Sequence, residues 1–140
     1  MAAERRSGIV LDSSFLLAWH NSADVHHAAA ARTMVDLQAG RWGTPILLEY
    51  VFLEVVTVLL LRRGLDTART VGDALLAAAD TEFVPCSDIF LDSFEAFRGQ
   101  PDATLSFVDA AIAVMARRQL AAVATFDRGL RALPGIAVVP

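Results

Sequence analysis

Short β-type runs alternate with longer helical segments along this chain. The candidate strands are "GIVLD" (8–12), a short one within "WGTP", "TEFVPCS" (81–87), "AAVATF" (121–126) and "IAVVP" (136–140). Strands that alternate with helices favour a parallel sheet that is covered by helices on both faces. We therefore predict an α/β fold, in which ligands bind beyond the carboxyl ends of the strands.

Glycines and polar capping residues mark the ends of the predicted helices. The first helix begins in "SSFLLAW", with Ser13 or Ser14 as its N-cap, and a later one is capped by Asp66. Three of the helices end at a glycine, which is the residue most often found just beyond a helix. The predicted helical ranges after the first are 24–39, 46–63, 66–80, 88–98 and 106–119.

The size and composition of the chain limit its possible classes. A length of 140 residues, of which 55% are hydrophobic, suits a single domain over residues 1–140. The one cysteine, Cys86, allows neither an internal disulfide nor a cysteine-based metal site. Asp12 interrupts the N-terminal apolar run, and no uncharged apolar segment reaches the ~20 residues that span a bilayer. We therefore expect a soluble cytoplasmic protein with no membrane partner.

The charged residues narrow the choice of ligand. The net charge is −4, so bulk charge does not attract polyanions, and any nucleic acid must be held locally. All twelve basic residues are arginine. Phosphoacceptor receiver domains, haloacid-dehalogenase-type phosphatases and Walker-type nucleotide sites all use a lysine near the phosphate. The absence of lysine argues against each of these classes.

Glu54 lies inside the apolar segment "EYVFLEVVTVLLL" (49–61), with no polar residue nearer than Thr57. Removing an ionised carboxylate from water costs several kcal/mol, whereas a whole domain is stable by only ~5–15 kcal/mol. Three arrangements could compensate for this cost: a buried arginine partner, a raised pKa that keeps the acid neutral, or a bound cation. The positions of the other carboxylates decide between them.

Three more acids are predicted to reach the same edge of the sheet. Asp12 ends the first strand, Asp127 follows the strand that ends in "ATF", and Asp109 lies in the first turn of a helix. Each has a purely structural alternative. Asp12 could support the next helix, Asp109 could form a capping box with Ser106, and Asp127 could cap "RGLRAL". For Glu54 the alternative is a buried ion pair with an arginine.

If the four acids converge, their mutual repulsion dominates the site. Like charges within ~4–6 Å raise one another's pKa, so an empty cluster is unfavourable. Mg²⁺ or Mn²⁺ reverses that effect, because these hard cations take oxygen ligands and commonly pair with substrate phosphates. Such a site can generate hydroxide, orient it and neutralise the leaving oxygen. The predicted chemistry is therefore hydrolysis of a phosphodiester.

Four segments carry these acids: "IVLDSSFLLAW" with Asp12, "YVFLEVVTVLLLRRG" with Glu54, "LSFVDAAIAVMA" with Asp109, and "VATFDRGL" with Asp127. Together they resemble the PIN-domain ribonucleases, and most closely the VapC toxins of bacterial and archaeal toxin–antitoxin pairs. The resemblance covers nearly the whole chain. Four segments in this order and spacing are more specific than any one of them.

The resemblance implies a three-layer α/β/α sandwich with a central parallel sheet and a Mg²⁺- or Mn²⁺-dependent endoribonuclease. It implies that Asp12, Glu54 and Asp109 hold the metal, and that Asp127 completes the ligand shell or positions water. The hydroxyls of Ser14 and Thr125 would orient these acids. The resemblance also implies a homodimer that is inhibited by a small VapB-like antitoxin. Two alternatives stay open: an RNA-processing nuclease outside a toxin–antitoxin pair, and a non-catalytic RNA-binding or scaffold module.

For the remaining polar residues we predict roles outside the acidic cluster. Glu49 is about 140° around the helix from Glu54, so it should serve the helix dipole instead of the same pocket. His26 and His27 are interpreted as exposed helix residues. RNA phosphates can be contacted by three groups of arginines, Arg62–Arg63, Arg117–Arg118 and Arg128–Arg131. Arg128 is the strongest candidate because it is next to Asp127.

Overall fold

The sheet is built from five short strands, and its apolar residues are most deeply buried near the middle of the sheet. The computed structural model describes residues 7–140. The strands are β1 (Gly8–Leu11), β2 (Thr44–Leu48), β3 (Glu82–Val84), β4 (Ala122–Ala124) and β5 (Val138–Val139). All neighbouring strands are parallel, in the order β3-β2-β1-β4-β5. The predicted parallel sheet is confirmed.

Seven α-helices of residues 7–140 flank this sheet, giving the predicted α/β/α arrangement. They are α1 (Ser13–His20), α2 (His27–Gln38), α3 (Glu49–Arg63), α4 (Leu65–Ala77), α5 (Phe90–Arg98), α6 (Phe107–Gln119) and α7 (Arg128–Arg131). Helices that follow one another pack in pairs, α1 on α2, α3 on α4 and α5 on α6. Among these helices, none is both long and apolar enough to cross a membrane.

The core lies on and around the central strand. Ile9 and Val10 of β1 are completely buried, as are Phe15 of α1 and Ile112 of α6. Burial of one such side chain contributes roughly 1.5–3 kcal/mol. In the register of the sheet, Val10 lies between Ile46 of β2 and Val123 of β4. The apolar character of "GIVL" is therefore explained by its burial on both faces and by its two neighbouring strands.

The strand order places a crevice between β1 and β4. From β1 the chain adds β2 and then β3 on one side, and it returns to place β4 and β5 on the other. Loops that leave two adjacent strands in opposite directions open a crevice at the carboxyl ends of those strands. Here the backbone amide of Asp12 donates to the carbonyl of Ala124 at 3.0 Å. The segments that follow β1 and β4 are thus held side by side.

Several predicted boundaries were wrong. The helix expected from position 46 begins at Glu49, because residues 46–48 complete β2. A buried strand and a buried helix both read as uninterrupted apolar runs, and periodicity alone does not separate them. The helix expected at 24 begins at His27, because Asp24 forms a turn in which its side chain accepts from the amide of His26 at 2.7 Å.

Two predicted caps were also wrong. Asp12, not Ser13 or Ser14, is the N-cap of α1, and its side chain accepts from the amide of Ser13. Helix α4 begins one residue earlier than expected, so Asp66 lies in its first turn. Gly64 precedes α4 with a φ of 92°, a left-handed conformation that lets α3 end and α4 begin at a single residue.

Candidate active site

A cavity of about 470 Å³ opens at the carboxyl ends of β1 and β4. All four predicted acids line it, although they come from four remote parts of the sequence. Asp12 follows β1, Glu54 is on α3, Asp109 is in the first turn of α6, and Asp127 precedes α7. The structure therefore brings together the four carboxylates that the sequence singled out.

Asp12 is the most buried of the four, with 3% of its surface exposed. Its Oδ1 accepts from the amide of Ser13 at 2.8 Å, while Oδ2 accepts from the hydroxyls of Ser14 at 2.7 Å and Thr125 at 2.6 Å. Hydrogen bonds to a charged acceptor are shorter and stronger than neutral ones. Asp12 thus caps α1 and is held in one orientation. Its role in supporting the helix is therefore compatible with its place in the cavity.

The two hydroxyls also connect Asp12 to the segment that carries Asp127. Ser14 Oγ accepts from the amide of Phe126 at 3.0 Å, and Thr125 Oγ1 accepts from the amide of Asp127 at 2.9 Å. Each hydroxyl therefore donates to the carboxylate of Asp12 and accepts from the backbone beyond β4. The proposed role of Ser14 and Thr125, to orient the acids, would be exerted through these hydrogen bonds.

Glu54 is half-buried, and its partner is a hydroxyl. Ser13 Oγ donates to Glu54 Oε1 at 2.7 Å and also lies 3.5 Å from Asp12 Oδ1. Within residues 7–140, no arginine or histidine comes within ion-pair distance of Glu54. The buried ion pair proposed as an alternative for Glu54 is therefore wrong for the described part of the chain. Ser13, which sequence reasoning treated only as a cap, joins two of the acids.

Asp109 combines a structural role with a place in the cavity. It forms the capping box of α6, because its Oδ2 accepts from the amide of Ser106 at 3.0 Å while its own amide donates to Ser106 Oγ at 3.1 Å. Burial raises the pKa of Asp109 to about 6, against the opposing effect of the hydrogen bond from the Ser106 backbone. The negative charges of Asp12 and Asp127 raise this pKa further. The charge on Asp109 is therefore disfavoured by its burial and by two of the other acids in the cavity.

Asp127 also combines both roles. It is the N-cap of α7, with Oδ1 accepting from the amide of Leu130 at 3.0 Å. Its neighbour Arg128 is exposed and does not line the cavity. The arginine that does line it is Arg62, near the end of α3. Arg62 was one of several arginines considered for phosphate contact. It differs from the others because α3 places it on the wall of the cavity.

The sequence did not predict that His26 and Phe126 contact each other at the rim of the cavity. His26 is exposed, as predicted, but it is the N-cap of α2, and its ring lies parallel to that of Phe126. Both rings line the cavity. Glu49 lies elsewhere: its Oε2 accepts from the amide of Cys86 at 3.0 Å and ties α3 to the segment after β3. The prediction that Glu49 and Glu54 do not share a pocket agrees with this position.

The donors in the cavity suit a hard divalent cation. They are carboxylate and hydroxyl oxygens, which match Mg²⁺ or Mn²⁺ better than metals that prefer thiolate or imidazole. Over residues 7–140, no three His, Cys, Asp or Glu side chains are grouped as a ready-made metal-binding set. Mg²⁺ does not require such a set, because it usually keeps several of its waters, and acids that line a cavity can hold the ion partly through those waters. The acids present therefore fit this class of ion.

The sequence matches the profile of the PIN domain family over residues 9–136. No curated protein matches the sequence. The structure is similar to VapC20 of Mycobacterium tuberculosis, described as a sarcin–ricin loop cleaving toxin, with a TM-score of 0.81 and 24% identity over 95% of this chain and 100% of that one.

Two further solved structures share the fold at lower identity. A toxin–antitoxin complex from Klebsiella pneumoniae has a TM-score of 0.63 and 16% identity over 95% of this chain and 97% of that one. PAE2754 from Pyrobaculum aerophilum has a TM-score of 0.64 and 19% identity over 96% of this chain and 85% of that one. The similarity therefore extends over nearly the whole described fold.

Proposed function

We propose that this chain, which belongs to the PIN domain family, is a Mg²⁺- or Mn²⁺-dependent endoribonuclease that acts as the toxin of a toxin–antitoxin pair. The observation that carries the proposal is the grouping of Asp12, Glu54, Asp109 and Asp127 around one cavity. Burial and the neighbouring carboxylates already raise the pKa of Asp109 to about 6. A cation in the cavity would convert this repulsion into attraction.

The four acids have different parts in the proposed reaction. Asp12, Glu54 and Asp109 would hold the cation, and Asp127 would complete its surroundings or orient a water. When bound, the cation supplies a nucleophile at neutral pH and stabilises charge on the phosphate and the leaving oxygen. The chain's own contribution is to fix these carboxylates before RNA arrives.

The hydrogen bonds around the acids support such fixed positions. Ser14 and Thr125 hold Asp12, Ser13 holds Glu54, and Ser106 holds Asp109. Groups that are oriented in advance do not have to reorganise during the reaction, which is where much of the catalytic advantage of an enzyme arises. A non-catalytic RNA-binding module would have no need of four carboxylates, which repel the RNA backbone.

Substrate and partners are proposed from similarity and from charge. The name of VapC20 makes the sarcin–ricin loop of ribosomal RNA the first substrate to test. Arg62, on the cavity wall, and Arg128, beside Asp127, would contact phosphates. The Klebsiella complex supports a small VapB-like antitoxin as a partner, and we propose that the toxin is a homodimer in the cytoplasm.

Cleavage of ribosomal RNA tests the proposed function. The purified protein should cut the RNA with Mg²⁺ or Mn²⁺ and not with EDTA, and new 5′ ends should be mapped by sequencing. Asp12→Asn and Glu54→Gln should lose activity by roughly 10²-fold or more, the scale of losing charge stabilisation in an active site. Asp73→Asn is the matched control, because Asp73 is an exposed acid on α4.

Three outcomes would argue against specific parts of the proposal. Cleavage that persists in EDTA would exclude metal dependence, and full activity in Asp12→Asn would exclude this cavity as the site. A protein that cuts RNA but has no effect on growth when it is expressed in cells without an antitoxin would favour an RNA-processing nuclease over a toxin.

A further inference from the structure

Three aromatic rings form a column that runs from the core to the rim of the acidic cavity. The ring of Phe15 is completely buried and lies 6.4 Å from that of Phe126, with 23° between the ring planes. Phe126 is half-buried and lies 4.3 Å from the imidazole of His26, with only 9° between the planes. The column therefore ends in an exposed, nearly parallel ring.

His26 is held at the end of this column by its own loop. The amide of His26 donates to Asp24 Oδ1 at 2.7 Å, and the amide of His27 donates to the carbonyl of Asp24 at 3.0 Å. The ring of His27 contacts the carbonyl of Ala18 at 2.9 Å through Nδ1. These contacts fix the backbone on both sides of the His26 ring, so little conformational entropy remains to be lost when something binds to it.

The column is connected directly to the acids. Phe126 lies between Thr125 and Asp127, and its amide donates to Ser14 Oγ, which in turn donates to Asp12. His26 and Phe126 line the same cavity as the four carboxylates. A group that rests on the His26 ring is thus at the edge of the proposed reaction centre.

Because most charged residues in the cavity are acidic, RNA binding there requires a contact that does not depend on attraction to phosphate. Among the residues that line it are five acids, Asp12, Asp24, Glu54, Asp109 and Asp127, and a single arginine. Without a bound metal, this cavity therefore repels an RNA backbone. Stacking of a base on an aromatic ring contributes affinity that does not depend on phosphate charge and is available to every base.

We propose that the exposed face of the His26 ring stacks an unpaired nucleobase next to the phosphodiester that is cut. Within residues 7–140, Phe126 is the one aromatic ring stacked on His26, and His26 is an exposed residue. A base placed there would become the fourth ring of the column. The inference rests on the proposed ribonuclease function and adds the position at which the RNA strand is bound. His26 is a binding residue in this account and takes no part in bond breaking.

The test uses fluorescence and kinetics on the same set of variants. A synthetic hairpin is made around the cleavage site that the wild type produces in ribosomal RNA, with 2-aminopurine placed in turn at each unpaired position beside it. Stacking quenches 2-aminopurine. Binding is measured with Mg²⁺ in the Glu54→Gln background, so that the RNA stays intact, and KM and kcat are measured in the wild-type background.

One labelled position should be quenched on binding, and His26→Ala should abolish that quenching. It should also raise KM by about ten-fold, the lower part of the range for one base stacked on an aromatic ring, with kcat little changed. His26→Phe should restore both the quenching and KM, because it keeps a flat ring. Val25→Ala is the control from the same loop, since Val25 is 89% exposed, and it should behave as the wild type.

The possible failures are distinguishable. If the wild type cuts RNA and His26→Ala keeps both the quenching and KM, the stacking inference is overturned while the nuclease stands. The same conclusion follows if His26→Phe does not restore binding, or if kcat alone falls. If the wild type cuts no RNA, the proposed function fails and the stacking inference fails with it.

Discussion

The hydroxyl of Ser13 donates a hydrogen bond to the carboxylate of Glu54 at 2.7 Å, across 41 positions of sequence. Ser13 is the first residue of α1 and Glu54 lies in the first half of α3, so the contact requires these two helices to pack together, as they do. This hydroxyl is the polar partner that a carboxylate in an apolar helix segment requires. Its partner is a neutral donor, which orients the carboxylate without cancelling its charge.

Replacing Ser13 by alanine should therefore affect both stability and activity. The half-buried Glu54 would lose its donor, and such a loss costs about 1–3 kcal/mol in unfolding free energy. RNA cleavage should fall as well, because Glu54 is no longer held in place. Urea unfolding and cleavage rates measure the two effects. Ser22→Ala, at an exposed serine beyond α1, should change neither, and equal behaviour of the two variants would contradict a role for Ser13.

Thr125 offers a sharper test of the support beneath Asp12. Its side chain is completely buried and contacts both Asp12 Oδ2 and the amide of Asp127. Thr125→Val keeps the shape but removes both hydrogen bonds, so it should lower the unfolding free energy by about 1–3 kcal/mol. Thr125→Ser keeps the hydroxyl and should retain cleavage activity. If valine served as well as serine in the cleavage assay, the hydroxyl would have no part in positioning Asp12.

The raised pKa of Asp109 predicts how stability depends on pH without metal. Its pKa is about 6 in the folded chain and 3.8 as the ordinary value, so the folded state binds the proton more tightly. Stability is then greater below the ordinary value and falls as pH rises from about 4 to about 6, because deprotonation favours the unfolded state there. Urea unfolding in EDTA across this range should show the decline.

Asp109→Asn should flatten that decline, because asparagine can still accept from the amide of Ser106 and carries no charge. At pH 7 in EDTA the variant should be at least as stable as the wild type. Added Mg²⁺ should stabilise the wild type at pH 7 more than at pH 5, where Asp109 is largely protonated. If the free energies of unfolding of the wild type and of Asp109→Asn changed in parallel across this window, Asp109 would not be buried among other acids.

The two arginines near the site should differ in their effect on RNA binding. Arg62 lines the cavity, whereas Arg128 is exposed outside it. Arg62→Ala should raise KM more than Arg128→Ala, and it should reduce the slope of log affinity against log salt by about 0.7 for one lost phosphate contact. Arg69→Ala, on α4 and away from the cavity, is the control. If Arg128→Ala raised KM more than Arg62→Ala did, Arg128 would be the more important phosphate contact, as the sequence suggested.

The sequence was sufficient for the fold class and for the grouping of the acids. Alternation of strands and helices implies a parallel sheet, and Asp12 and Asp127 follow strands whose carboxyl ends lie at one edge. The boundary at Glu49 was not predictable, because Ile46, Leu47 and Leu48 are all buried and show no period that separates strand from helix.

The finer parts of the site depend on packing between remote segments. Ser13 looked like a helix cap, and its contact with Glu54 arises only when α1 meets α3. His26 looked like an exposed helix residue, and its stacking on Phe126 depends on the turn formed by Asp24 and on the segment after β4. No spacing in the sequence connects those positions. The two serines after Asp12, and Thr125 just before Asp127, were the local signs that hydroxyls support the acids.

The most direct test of the central claim is a Mn²⁺ titration of the RNA-free protein at pH 7, with free ion followed by electron paramagnetic resonance. The wild type should bind Mn²⁺, and Asp73→Asn should match it. Asp12→Asn should bind Mn²⁺ at least ten-fold more weakly, because even a residue that only supports a metal ligand typically contributes about 10–100-fold to affinity. A wild type that binds no Mn²⁺, or an Asp12→Asn variant that binds it equally well, would contradict the account.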